Sequence, residues 1–174
     1  MSSTFSRPRV LLITGSPSDL DRVLETEEVL ESLGIESEIR VASAHRTPQL
    51  VVDIVTRAES EGFGVVIAFA GLAAHLAGVA AAHTLLPVIG VPLSVGPLTG
   101  VDAALATLQM PPGTPLAGVA IDGTQNGALL AARILAVGYP ELRRRLSERA
   151  ERERARYAPE RIAEEIEKRK RRGS

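Results

Sequence analysis

Six side chains able to do chemistry crowd into two short stretches. Ser16, Ser18 and Asp19 lie in Gly15-Ser16-Pro17-Ser18-Asp19, and Ser43, His45 and Arg46 lie in Ser43-Ala44-His45-Arg46-Thr47-Pro48. His45 is the residue type that gives and takes protons near neutral pH; the competing role is a hydrogen-bonded structural histidine. Arg46 suits planar, two-point recognition of a phosphate; its competing role is a surface ion pair. Gly15 permits a tight turn and Ser16 and Ser18 offer hydroxyls. A helix starting there would add free N–H groups and the positive end of its dipole. Alternatively, Ser18 or Asp19 merely caps that helix. Asp19 is a poor neighbour for phosphate but a good acceptor for ribose hydroxyls. His75, in an Ala-rich run, reads as packing or ligand orientation, and His83 as helix surface.

Composition removes other chemistries. The chain has 174 residues, enough for one domain with a substantial core, and no Cys, which excludes disulfides, thiolate metal sites and thiol nucleophiles. Three His with scattered spacing and no acidic partners argue against a metal site. Both Lys, Lys168 and Lys170, fall in the tail, so the body has neither a Schiff-base lysine nor the lysine of a phosphate loop. A dinucleotide-binding glycine fingerprint is absent, and Ala70-Gly71 stands where a phospho-acceptor domain would place an Asp. Aromatics are 3% of the chain with no Trp, which leaves little for base-stacking platforms. No apolar run reaches membrane-spanning length. The start, Met1 to Pro8, lacks the charged-then-apolar order of a secretion signal, so a cytoplasmic location is expected. Net charge is −1, but residues 141–172 hold thirteen Lys or Arg against eight Glu. Their interleaving favours a solvated helix over a nucleic-acid arm.

The elements that must position these residues alternate. Strands are expected at Arg9–Thr14, Ile35–Ala42, Val65–Ala70, Val88–Val91 and Leu116–Ile121. Between and after them, helices are expected at Ser18–Leu33, Pro48 to near Gly62, Leu72–Thr84, Gly100–Met110 and Asn126–Ala136. Val23, Val29, Leu30 and Leu33 mark the buried face of the first helix, which Gly34 should stop. Thr47 should cap the second, with Pro48 in its first position. Five β-α repeats predict a flavodoxin-like three-layer α/β/α sandwich: a five-stranded parallel sheet, helices on both faces, and a C-terminal helical extension. We divide the chain into an α/β catalytic domain, 9–138, and a charged extension, 139–172, interrupted near Pro159 and lying along a neighbour or projecting. In such sheets ligands bind beyond the carboxyl ends of the strands. His45, His75 and Arg46 all fall on that rim, which predicts a metal-free site for a phosphorylated ribosyl ligand worked by one His.

The same residues carry a family resemblance over roughly residues 9–138. GSPSD at 15–19, SAHRTP at 43–48, AGLAAHLAG at 70–78, LPVIGVP at 86–92, LTGVDAAL at 98–105, QMPPGTP at 109–115 and QNGALLAARIL at 125–135 follow in family order. Together they resemble the N5-carboxyaminoimidazole ribonucleotide mutases of the PurE family. The resemblance implies isomerisation of N5-carboxyaminoimidazole ribonucleotide to 4-carboxyaminoimidazole ribonucleotide in de novo purine biosynthesis, with CO2 released, trapped and recaptured, and no cofactor. It implies His45 as the acid/base. It further implies Ser16, Ser18, Asp19, Ser43 and Arg46 as ribose-phosphate binders, and Gly71, Ala74, His75 and Leu76 in the loop around base and CO2. It implies a homo-octamer whose partners are a small ribonucleotide and CO2, not nucleic acid or membrane. A related carboxylase class that uses free CO2 usually reads Ser-Asn at Ala74-His75, so His75 favours the mutase; a non-catalytic nucleotide-binding relative is the other alternative. Leu72 and Ala77 stand where the family usually has Gly and Pro. Leu72 is expected to narrow the pocket and forbid positive φ, and Ala77 to loosen the same loop.

Overall fold

The computed structural model describes residues 7–172; the opening residues considered above for a secretion signal fall largely outside that range. Strands β1 (Arg9–Thr14), β2 (Glu36–Val41), β3 (Val65–Gly71), β4 (Val88–Leu93) and β5 (Ala117–Gly118) form one parallel sheet in the order β2-β1-β3-β4-β5. This is the flavodoxin-like order. Helices α1 (Leu20–Ser32), α2 (Pro48–Ala58), α3 (Leu76–Ala82), α4 (Val101–Leu108) and α5 (Thr124–Leu135) follow the strands in turn. Helices α6 (Pro140–Arg156) and α7 (Pro159–Arg172) complete the described chain.

Period-two alternation in β1 and β3 builds two cores. Val10, Leu12, Ile67 and Phe69 point to one face, where α1 and α5 cover them; Leu11, Ile13, Val66 and Ala68 point to the other, under α2 and α3. β1, β3 and β4 are thus buried on both sides, which is why they read as unbroken apolar runs. β2 is the partly exposed edge strand.

Several boundaries differ from expectation, each for a local reason. α1 begins two residues late because Pro17–Asp19 form a single 3-10 turn, capped by Ser16, whose Oγ accepts from the Ser18 amide. The helix stops at Gly34 as expected: Gly34 has φ +70, its amide donates to Glu31 O, and the Ile35 amide reaches back to Leu30 O. Thr47 precedes α2 but does not cap it, since its Oγ1 accepts from the Ser43 amide instead. β5 is a two-residue strand rather than six. Val119 and Asp122 donate to Gly90 O and Pro92 O, so Pro92 turns its nitrogen toward β5, and that nitrogen has no hydrogen to give.

α6 is not free of the domain. Leu142 is buried in the α1/α5 core, Leu146 and Tyr139 pack against it, and Arg145 Nη1 donates to Leu33 O at 2.9 Å. The change at residue 138 therefore marks where the chain leaves the sheet, and the first turns of the extension belong to the packed core. The interruption expected near Pro159 is there, with Tyr157 and Ala158 between the helices. Beyond the core the tail is the solvated helix expected, laced by pairs such as Arg156–Glu153 and Arg169–Glu165. No described helix is long and apolar enough to cross a membrane.

Candidate active site

The loops after β1, β2, β3 and β4 meet at the carboxyl rim around one cavity of about 440 Å3. Six of its polar residues come from the first two loops: Ser16, Ser18, Asp19, Ser43, His45 and Arg46. Ala70, Gly71, Leu72, Ala73, His75 and Leu76 come from β3 and the segment beyond it, and Val95 from the β4–α4 loop. Nine of the ten residues expected at the site line this cavity. The tenth, Ala74, does not line it and is buried, with only 1% of its surface exposed.

The first two loops are pre-organised. Ser16 Oγ and Ser18 Oγ lie 2.8 Å apart, and Ser18 Oγ donates to Asp19 Oδ1 at 3.1 Å. Neither Ser18 nor Asp19 is the cap that the alternative reading expected; Ser16 caps the turn, and all three side chains line the cavity. Asp19 makes no cap of its own. Gly15 needs no unusual φ, contrary to the tight-turn expectation; a Cβ there would only touch Ser43 Cα at 4.0 Å. Its contribution is its carbonyl, which accepts from Arg46 Nη2. Ser43 Oγ accepts from the amides of His45 and Arg46, fixing the turn that presents both side chains. Among the described residues, Arg46 is the one Arg or Lys lining the cavity.

His45 does not stand alone. Its Nε2 lies 2.9 Å from His75 Nδ1, with the rings edge to face at 75°. One ring supplies the hydrogen and the other accepts it, so the pair can hold a proton and change which ring carries it. This corrects the placement of His75 one turn into a helix. α3 begins only at Leu76, and His75 is the residue that precedes it. The helix is delayed because Leu72 takes φ +54, the left-handed region that the branched side chain was expected to forbid. That conformation costs about 1–2 kcal/mol in a non-Gly residue. Ala74 and His75 then donate to Leu72 O and Ala73 O in tight turns. Ala77 lies buried in the first turn of α3 rather than in the loop before it.

One wall of the cavity, and one residue behind the β4–α4 loop, carried no chemical signal in the sequence. Val95 is an aliphatic wall residue that only the sheet topology brings here. Asp122, after β5, accepts from the Ser94 amide at 3.0 Å and from the Ser94 hydroxyl, with Arg22 at 3.7 Å. Burial opposes its charge, but the Ser94 hydrogen bonds and Arg22 together outweigh that and hold its carboxyl below the usual range. The described residues hold no group of three or more His, Asp or Glu placed to bind a metal ion.

Sheet order and rim cleft together define a flavodoxin-like α/β protein whose site is built from strand-end loops. The AIR carboxylase family model matches residues 9–156. The chain belongs to the AIR carboxylase family. It is 50% identical over 139 residues to the N5-carboxyaminoimidazole ribonucleotide mutase of Pyrococcus abyssi, covering 80% of each chain. It is 46% identical over 146 residues to that of Mycobacterium tuberculosis, covering 84% of each. The crystal structure of Treponema denticola PurE superposes with a TM-score of 0.78 at 30% identity, over 87% of this chain and 94% of that one.

Proposed function

We propose that this chain isomerises N5-carboxyaminoimidazole ribonucleotide to 4-carboxyaminoimidazole ribonucleotide, a carboxyl shift in purine biosynthesis. The reaction is the one its relatives from Pyrococcus abyssi and Mycobacterium tuberculosis are named for. One observation carries the assignment of roles: a contacting His45–His75 pair in the wall of the same cavity as Arg46 and the serine turn.

The chemistry is balanced by one proton. Breaking the bond between the exocyclic nitrogen and the carboxyl returns an electron pair to nitrogen, which takes a proton as CO2 departs. The ring carbon then forms its bond to CO2 and loses its hydrogen as a proton. A single acid/base group can therefore serve both ends, and His45 fills that role, with His75 orienting it and sharing the proton. Arg46, Ser16, Ser18, Asp19 and Ser43 hold the ribose phosphate. Gly71, Ala74, His75 and Leu76 bring the β3–α3 segment over the base. The aliphatic wall lets the carboxylate lose solvation and gives CO2 no hydrogen-bonding water. No cofactor enters these steps.

The assembly proposed is a homo-octamer in the cytoplasm. Leu98, Val101, Leu105 and Leu108 support the association, each more than half exposed on or just before α4. The test is direct. Purified protein is given N5-carboxyaminoimidazole ribonucleotide without bicarbonate, and separately aminoimidazole ribonucleotide with bicarbonate. Efficient conversion of the first upholds the mutase. Conversion of the second alone points to the carboxylase alternative, and binding without either conversion to a non-catalytic relative.

A further inference from the structure

Asp122 does not line the cavity and takes no part in the steps above, yet its carboxylate is committed to one neighbour. It sits in the turn between β5 and α5 with φ +53, and its amide donates to Pro92 O at 2.9 Å. Its side chain accepts from the Ser94 amide at 3.0 Å and from the Ser94 hydroxyl, with Arg22 of α1 3.7 Å away. Ser94 is the first residue beyond β4, and the two residues after it pack on the β3–α3 segment. Val95 lies on Gly71, where an added Cβ would come within 2.8 Å of Val95 Cβ and Cγ2. Leu72 lies on Gly96, where an added Cβ would come within 2.6 Å of Leu72 Cδ2. The carbonyls of Leu72 and Ala73 then accept from the amides of Ala74 and His75, and His75 Nδ1 meets His45 Nε2 at 2.9 Å. Contacts therefore run without a gap from Asp122, through Ser94 and the two loops, to the histidine pair.

We propose that Asp122 is a positioning residue for proton transfer: by holding Ser94 it fixes the β4–α4 loop, and that loop fixes the backbone of 71–75 and so the placement of His75 against His45. The inference rests on the carboxyl-shift reading, in which His45 moves the proton. Two features give the carboxylate this weight. Leu72 holds φ +54, a conformation that costs a non-Gly residue about 1–2 kcal/mol and persists only where the surroundings impose it. The two side-chain-on-glycine contacts impose it, and they are only as fixed as the loop that supplies half of each. Sheet pairing does not fix that loop, because β5 ends at Gly118, level with Gly90 of β4. The Asp122 side chain ties it down beyond that point. Misplacing reacting groups by about 1 Å can cost about a hundredfold in rate, so a small shift of the 72–75 backbone is felt at the pair.

The experiment compares full-length wild type, Asp122→Gly, Asp122→Asn, Ser94→Ala and the Asp122→Gly/Ser94→Ala pair. Glycine and asparagine both accept positive φ, so the carboxylate is removed without added backbone strain. The readouts are the isomerisation rate, the affinity for aminoimidazole ribonucleotide, and hydrogen exchange of the amides in 72–75, 94–96 and 43–47. In Asp122→Gly, kcat should fall by about ten- to a hundredfold while nucleotide affinity stays within about twofold, since the serine turn and Arg46 are untouched. Exchange should quicken in 94–96 and in 72–75 but not in 43–47. Asp122→Asn keeps an acceptor for the Ser94 amide and should recover most of the lost rate. The pair should be no slower than Asp122→Gly alone, because the Ser94 hydroxyl then has no carboxylate to lose. An unchanged kcat, rate and affinity falling together, an additive pair, or faster exchange confined to 94–96 each overturns the proposal. A wild type that forms no carboxylated product overturns the functional reading instead; exchange needs no turnover and shows separately whether Asp122 holds 72–75.

Discussion

Replacing Arg46 by Ala isolates the phosphate contact from the proton chemistry. Its guanidinium is the one Arg or Lys group lining the cavity among the described residues, and it is held by the Gly15 carbonyl, next to the Ser16–Asp19 turn. Two unit charges about 4 Å apart interact by about 1 kcal/mol in water and about 4 kcal/mol at the effective dielectric near a protein surface. A hydrogen bond to a charged group contributes about 1.5–3 kcal/mol net. The cleft is open and Arg46 exposed, so the loss should fall near 2–3 kcal/mol, or roughly 30- to 150-fold in Kd. Stability should barely change, because the freed Gly15 carbonyl reaches water. Calorimetric titration with aminoimidazole ribonucleotide and with its riboside lacking the phosphate separates the contributions. The nucleotide should weaken by that factor, and the riboside should bind both proteins alike. Unchanged nucleotide affinity, or an equal loss for the riboside, refutes the assignment of phosphate to Arg46.

Other expectations follow from single features. Gly34→Ala puts a Cβ at φ +70 within 1.8 Å of Arg145 Nη1, displacing the side chain that ties α6 to Leu33 O. Strain and the lost bond together should cost about 2–3 kcal/mol, lowering Tm by several degrees in thermal unfolding. Asp122 has a carboxyl held below its ordinary 3.8, so its stabilisation is complete above that value and is lost as pH falls through the lowered one. Wild type should therefore exceed Asp122→Asn in stability near neutral pH, with the gap closing in acid-unfolding curves only below about pH 4. Dialysis against a strong chelator should leave turnover intact, and activity restored by a divalent ion would contradict the proposed chemistry.

Sheet order and both faces of the core were legible because RVLLIT and VVIAFA contain almost nothing polar, which only a doubly covered strand permits. The rim residues were legible for a different reason: Ser, His, Arg and Asp gathered just after strands have few structural uses there. The segment 72–75 was misread as helix because Leu and Ala have high helix propensity, while the backbone there is set by contacts with the β4–α4 loop. Val95 as a cavity residue and Asp122 as the partner of Ser94 were illegible, since both depend on what topology brings beside them. The His45–His75 contact joins positions thirty residues apart, and spacing alone could not give a 2.9 Å approach. Leu142 in the core was hidden inside a charged tail whose net composition pointed outward.

The central claim is that this chain moves a carboxyl group with His45 as its acid and base. The measurement that tests it most directly is single-turnover conversion of N5-carboxyaminoimidazole ribonucleotide by wild type and His45→Asn, with nucleotide binding followed in parallel. Removing only the proton transfer should abolish conversion by His45→Asn while leaving affinity within about tenfold of wild type. Conversion by His45→Asn at a rate comparable to wild type would contradict the account.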